Sequence, residues 1–389
     1  MLPVKTFRVP RVVITGTGAS EQTGEECKKL KVRKALIVTD ENLVSLGIPE
    51  RVQKSLRQSG IDFAVYAGAN TEPVAEYVTE GLKAYRDNGC DFLLAVGGGS
   101  PMDTAKAIGV MVNNPGSIED YMGQGKVQQK GSPLVAVPTT AGTGSEVTPF
   151  TIVTNTRTDV KMLIGSSFIT PDVAIVDPQL TLTLPPDITA ATGIDALTHA
   201  IEGYVSVKAQ PLSDVFCLAA IELIAANLRQ AFNHGDDLEA REKTMLGALE
   251  AGIGFSNSSV ALVHGMARPI GAYFHVRHGA SNACLLGTVM EFSLSGNPAR
   301  YAHVARAMGE DISGLSDLEA AKKGAAAVQK LIKDVQIPSL QDLGVEKARL
   351  EQLAPRMSED ALASGSPGNN PRQASKEEIV ELYRKACGA

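Results

Sequence analysis

Asp195 and His199 stand four residues apart in the run GIDALTHA, and His264 and His278 follow further along the chain. In a helix an i, i+4 pair stacks on one face about one turn apart. An imidazole nitrogen and a carboxylate oxygen placed this way make half of a divalent-metal site. His264 (in HGMA) and His278 (in RHG) are candidates for the other half, since three of the six histidines fall between 264 and 278. Three imidazoles and one carboxylate suit Fe²⁺, Zn²⁺, Mn²⁺, Co²⁺ or Ni²⁺. Spacing alone leaves a second reading open, in which the pair is helix surface or a hydrogen-bonded core group. His234 and His303 read as surface residues.

Phosphate binding is the second chemistry the residue types suggest. A strand expected over residues 92–96 (FLLAV) runs into Gly97-Gly98-Gly99-Ser100-Pro101-Met102-Asp103, and a helix is expected from Thr104. Glycines allow close backbone approach, and a helix start aims free N–H groups and a positive dipole end at an anion. An ordinary tight turn is the alternative; three glycines followed by Ser and Pro favour the anion. The run PTTAGTGSE, containing Thr139, Thr140 and Thr143, follows another apolar strand and reads either as a ligand loop or as a polar surface loop. Asp40 ends the strand ALIVT, where a carboxylate can hold an adenosine ribose and repel the extra phosphate of NADP. Capping the next helix is the other role open to it. Gly16-x-Gly18 reads as a turn.

These residues need a scaffold. Short apolar runs at 35–39, 63–66, 92–96, 134–137 and 173–176 alternate with helical spacing at 49–59 and 74–88, the pattern of a parallel sheet covered on both faces. After Pro185-Pro186 the texture becomes helical, with Leu218, Ile221, Ala225 and Leu228 stepping by three and four, as do Leu318, Ala321, Ala325, Val328 and Leu331. The expected organisation is an α/β domain over 1–186 and an all-helical domain over 187–389. Such a chain of 389 residues is long enough for two cores.

Composition narrows the partners. The 37 Lys and Arg against 43 Asp and Glu give a net charge of −6, which offers no electrostatic reason to expect nucleic acid or an anionic membrane. The five cysteines are scattered without a CxxC pair, so reduced thiols in a cytoplasmic protein are expected. No signal-peptide pattern opens the chain. No apolar run is expected to approach the ~20 residues that cross a bilayer.

Taken together, GGGSPMDTAK (97–106), PTTAGTGSE (138–146), TGIDALTHAIEGYVS (192–206) and residues 263–278 resemble the iron-containing (group III) alcohol dehydrogenases. The resemblance runs on to Asn370-Pro371-Arg372 and IVELY near the C-terminus. It implies an N-terminal Rossmann-like dinucleotide-binding domain and an all-helical C-terminal domain, the dehydroquinate synthase-like fold, with the active site in the cleft. It implies Asp195, His199, His264 and His278 as metal ligands, with Fe²⁺ expected and Zn²⁺ an alternative. Gly97, Gly98, Gly99 and Ser100 match the pyrophosphate loop, with Asp103 at the following helix. Thr139, Thr140 and Thr143 match the nicotinamide-side loop, Lys161 a ribose contact, and Asn70 the adenine-side loop. Asp40 resembles the residue that biases the family to NAD over NADP. A homo-oligomer, dimer or larger, is implied as well.

One departure stands out. Many relatives have His in the segment that here reads GMARP, and the guanidinium of Arg268 stays charged and cannot relay protons at neutral pH. His275 is the candidate for that task, with packing as its alternative. Arg268 is expected to prop the cleft or to draw in a substrate bearing an anionic group. The implied reaction is hydride transfer between NAD(H) and a small alcohol or aldehyde, assisted by the metal. Two rivals are a non-redox lyase resembling dehydroquinate synthase, for which no basic cluster is seen, and a silent nucleotide-binding protein.

Overall fold

The computed structural model describes residues 4–158 and 160–388. The chain divides into two compact units, one covering residues 8–183 and one covering 184–388 together with residues 4–7.

The first unit holds strands β1 (Val12–Thr15), β2 (Lys34–Val38), β3 (Asp62–Tyr66), β4 (Phe92–Gly97), β5 (Gly123–Gln124), β6 (Leu134–Pro138), β7 (Phe150–Asn155), β8 (Val160–Gly165) and β9 (Val173–Val176). Its helices are α1 (Thr23–Lys29), α2 (Glu41–Ser45), α3 (Ile48–Gln58), α4 (Ala75–Asp87) and α5 (Gly99–Asn113). Six strands form a parallel sheet in the order β1-β9-β6-β4-β2-β3. A small second sheet, β5-β8-β7, pairs β7 and β8 antiparallel.

The central strands are apolar on both faces because helices cover both. Leu36, Val38, Leu93 and Ala95 pack with Val78 of α4 and Met102 and Ile108 of α5. Their alternate neighbours Ala35, Ile37, Phe92, Leu94 and Val96 pack with Val52 and Leu56 of α3. This is the period-two alternation of a strand, expressed between two cores. Truncating a fully buried side chain such as Leu94 to Ala should cost about 2–5 kcal/mol.

Sheet order also sets where a ligand site opens. The chain leaves β2 toward β3 on one side, and leaves β4 toward β6 on the other. Loops after β2 and β4 therefore diverge at a topological switch point, the place where parallel sheets bind ligands. Asp40 follows β2 and Gly97 ends β4.

The second unit is helical: α6 (Pro186–Val205), α7 (Pro211–Asn233), α8 (Leu238–Ser256), α9 (Leu262–Phe274), α10 (His278–Ser293), α11 (Pro298–Ala307), α12 (Asp317–Asp334), α13 (Lys347–Ala363) and α14 (Lys376–Ala386). The boundary falls between 183 and 184, not after 186, because Pro186 opens α6, a position proline favours. Residues 4–7 also depart from the expected division. Lys5 donates to the carbonyl of Ala209, and Phe7 stacks on Phe216 at 5.7 Å. One further expectation is corrected: α7 is long and apolar enough to cross a membrane by length and composition alone. Its buried stripe of Cys217, Ile221, Ile224 and Leu228 faces neighbouring helices, with α6 and α8 packed against α7.

Candidate metal centre and dinucleotide loops

Helix α6 carries Asp195, His199 and Glu202 at i, i+4 and i+7, which places all three on one face. All three are buried, as is His264 in the first turn of α9. Asp195, His199 and His264 each offer one ligand atom, and those atoms lie within 4.8 Å of one another. The His264 ring stacks on His199 at 4.4 Å between centroids and lies 5.4 Å from the His278 ring. Phe255 stacks on His199 at 4.2 Å, placing an apolar ring against it. His278 opens α10 and is half-buried beside the other three.

The charge states suit a cation. Burial opposes ionisation of Asp195, but His199, His278, His264 and a hydrogen bond from Asn282 hold its carboxyl below the usual range. The Asn282 side-chain amide donates to Asp195 Oδ1 at 2.6 Å, and its nitrogen lies 3.2 Å from His278 Nε2. Burial, with His199 beside it, pushes His264 well below the ordinary imidazole value, so the ring is neutral at pH 7. His264 Nδ1 lies 2.7 Å from Glu202 Oε2. Its Nε2 is buried without a hydrogen-bond partner and lies 3.7 Å from Asp195 Oδ1. A lone pair facing a carboxylate oxygen with no proton between them is repulsive in a low dielectric, and a divalent cation relieves it. The donor set thus fits a metal of the Fe²⁺ or Zn²⁺ kind.

Arg268 lies one turn beyond His264 on α9. It is half-buried and donates to Ser366 Oγ at 3.1 Å. Burial lowers its pKa, with the Glu202 charge opposing. His275 ends α9 in the left-handed conformation, at φ 57°, with an exposed side chain. It is about 16 Å along the helix axis from His264 at 1.5 Å per residue. The structure therefore sets His275 on the surface, three residues before the half-buried His278.

In the first unit the three glycines meet the threonine loop. A Cβ on Gly98 would stand 3.2 Å from Thr140 Cγ2, and one on Gly99 would stand 3.1 Å from Thr143 Cγ2. A Cβ on Gly97 would strike Pro101 at 2.5 Å. The two loops recognised separately in the sequence are thus packed against each other. Gly98 caps α5 without a side chain, leaving the N–H groups of its first turn directed outward. The Ser100 hydroxyl donates to the carbonyls of Ala69 and Thr71, binding this loop to the segment that follows β3. Thr139 is buried, and Thr143 Oγ1 accepts from the Ser145 N–H at 3.2 Å.

Asp40 does cap α2, accepting from Leu43 N at 2.8 Å, and Asn70 accepts from Glu41 N at 2.9 Å. The two polar side chains jointly hold the start of that helix. Asp103 accepts from Ser145 Oγ at 2.7 Å and from Ile152 N at 2.9 Å, so its carboxylate anchors the threonine loop and β7 to α5. Lys161, on β8, is half-buried and ion-paired with Glu72.

Sequence reasoning missed Glu202 and Asn282. Each sits at helical spacing from a candidate ligand, Glu202 at i+7 from Asp195 and Asn282 at i+4 from His278, and that spacing was the available signal.

Comparison with known proteins agrees with this geometry. The model of the iron-containing alcohol dehydrogenase family matches residues 10–178, and that of the family's C-terminal region matches residues 189–387. The 1,3-propanediol dehydrogenase of Klebsiella pneumoniae is 42% identical over 383 residues, covering 98% of each chain. A crystal structure of 1,3-propanediol oxidoreductase superposes with a TM-score of 0.96 at 42% identity, covering 99% of this chain and 100% of that one. The sulfoacetaldehyde reductase of Bifidobacterium kashiwanohense, solved in complex with NAD⁺, gives a TM-score of 0.88 at 28% identity over the full length of both chains.

Proposed function

The chain belongs to the iron-containing alcohol dehydrogenase family, and from that premise we propose that it transfers hydride between NAD(H) and a small alcohol or aldehyde with a divalent metal held by Asp195, His199, His264 and His278. The observation that carries this reading is the buried, partnerless Nε2 of His264 facing Asp195 Oδ1 at 3.7 Å. A cation there supplies Lewis acidity toward an alcohol or carbonyl oxygen. Fe²⁺ is the first choice, and the same donors accept Zn²⁺.

The protein's own groups do the remaining work. Burial of Asp195, His199 and His264 excludes water, and it keeps the His264 ring neutral, ready to donate a lone pair. Gly97, Gly98 and Gly99 leave room for a pyrophosphate against the backbone at the start of α5. Asp40 takes a ribose with its uncommitted oxygen and disfavours a 2′-phosphate. Thr140 and Thr143 flank the same glycines, and Lys161 and Asn70 complete the adenosine side. A cytoplasmic location fits five cysteines held as free thiols.

A second reading, a substrate bearing an anionic group, is favoured by Arg268. Its guanidinium is half-buried one turn from His264, with a neutral hydroxyl as its hydrogen-bond acceptor. The relative that is named for sulfoacetaldehyde acts on such an anion.

The deciding experiment is NADH formation from NAD⁺ with a panel of small alcohols, with chelator and with Fe²⁺ or Zn²⁺ restored. Activity unaffected by complete metal removal would overturn the proposal. Kinetics of Arg268→Gln on neutral and anionic aldehydes decide the second reading: an equal loss on both removes it.

A further inference from the structure

Glu202 is a buried carboxylate whose hydrogen-bond partners all lie at the start of α9. Its Oε2 accepts from Ala261 N at 2.8 Å and His264 N at 3.4 Å and lies 2.7 Å from His264 Nδ1, while Oε1 accepts from Val263 N at 2.5 Å. Helix α9 has Ala261 at its N-cap position, a residue with no capping side chain. Glu202 supplies the missing cap from another helix, satisfying N–H groups that the first turn leaves open.

The same carboxylate determines the chemistry of the ring. A neutral imidazole carries one N–H. An acceptor at 2.7 Å holds that hydrogen on Nδ1 and leaves the lone pair on Nε2, the atom that faces Asp195. We infer that Glu202 is a positioning residue: it fixes His264 in the Nδ1–H tautomer and at one ring angle, so that helix capping and metal affinity rest on one side chain. Carboxylates bound behind a ligating histidine act this way in metal sites generally. The inference rests on the metal reading above.

Two measurements test it. Long-range ¹H–¹⁵N correlation on histidine-labelled, metal-free protein reads the tautomer directly; an Nδ1–H form of His264 supports the inference, and an Nε2–H form overturns it. Co²⁺ affinity, by competition with a chromophoric chelator, then compares wild type with Glu202→Gln. Glutamine keeps the size but loses the charge, and its NH₂ must oppose either the Val263 N–H at the Oε1 position or the N–H groups at the Oε2 position, so the hold on the Nδ1 hydrogen is weakened. The expected result is a loss of about 10–100-fold in Co²⁺ affinity and an altered Co²⁺ visible spectrum, with unchanged far-UV circular dichroism. Wild-type affinity and spectrum in the variant would overturn the inference while leaving the metal reading intact. Wild-type protein that takes up no Co²⁺ would instead fail the metal reading and remove the affinity half of the inference. If Glu202→Gln does not fold, the tautomer measurement decides alone.

Discussion

Lys106 Nζ lies 2.8 Å from Ser145 Oγ, and that hydroxyl in turn donates to Asp103 at 2.7 Å. One serine on the threonine loop thus bridges a cation and a carboxylate one turn apart on α5. Lys106 completes its shell with the carbonyl and hydroxyl of Thr148 and the carbonyl of Phe150. Burial pulls its ammonium group down to about 8 and pushes the Asp103 carboxyl up, so both depend on these bonds. Ser145→Ala should cost about 1–3 kcal/mol by leaving both partners short of a bond. Because the loop packs on Gly98 and Gly99, NADH should also bind more weakly. Urea unfolding and NADH fluorescence titration measure the two effects; an unchanged titration would detach this clamp from cofactor binding.

Asp40→Asn separates the cap from the charge. Asparagine caps a helix about as well as aspartate, so stability should hold within about 0.5 kcal/mol. Without the charge, the KM for NADP should fall by about tenfold, and the NAD constant should change less. Unaltered NADP kinetics would show that Asp40 only caps α2.

His264→Ala should lower metal content and reduce turnover by more than about a thousandfold, the equivalent of roughly 4 kcal/mol of lost transition-state stabilisation. NADH binding should be spared, because the dinucleotide loops belong to the other unit. Metal analysis, steady-state rates and NADH titration on one preparation check all three.

Glu250, on α8, is raised to about 7 by burial and by Glu222 on α7. Since the folded value is raised, its contribution to stability is complete below the ordinary value of 4.5 and is lost as pH rises through about 7. Glu250→Gln should therefore match wild type at pH 4.5 and exceed it at pH 8 by about 1–2 kcal/mol, allowing for solvent screening. Denaturation at the two pH values tests the sign, and a variant less stable at pH 8 would reverse it.

The parallel strands were legible because burial on both faces writes a continuous apolar run, as in FLLAV. β1 was not, because VVIT alternates half-buried and exposed positions at the sheet edge. β7 and β8 pair across a turn in a polar stretch, where no long apolar run marks them. The metal cluster was legible in part. Asp195 and His199 announce themselves by spacing, whereas Glu202 looks like any solvated helix charge until its burial is known. Asp103 was recognised by position, but its partner Ser145 lies 42 residues away, a pairing that local sequence cannot display.

The common face of Asp195, His199 and Glu202 makes α6 intolerant of length change in a way that substitution studies would overlook. Inserting one residue between 195 and 202 would turn everything downstream by about 100° about the helix axis. Placed before His199, the insertion would leave both ligands as letters pointing in different directions; placed after it, the ligands would stay aligned but the α9 cap from Glu202 would swing away. Deletions and insertions inside this eight-residue window, every position of which is buried, should therefore be far more damaging than a conservative exchange at one of them, and the window behaves as a ruler whose divisions cannot be redrawn.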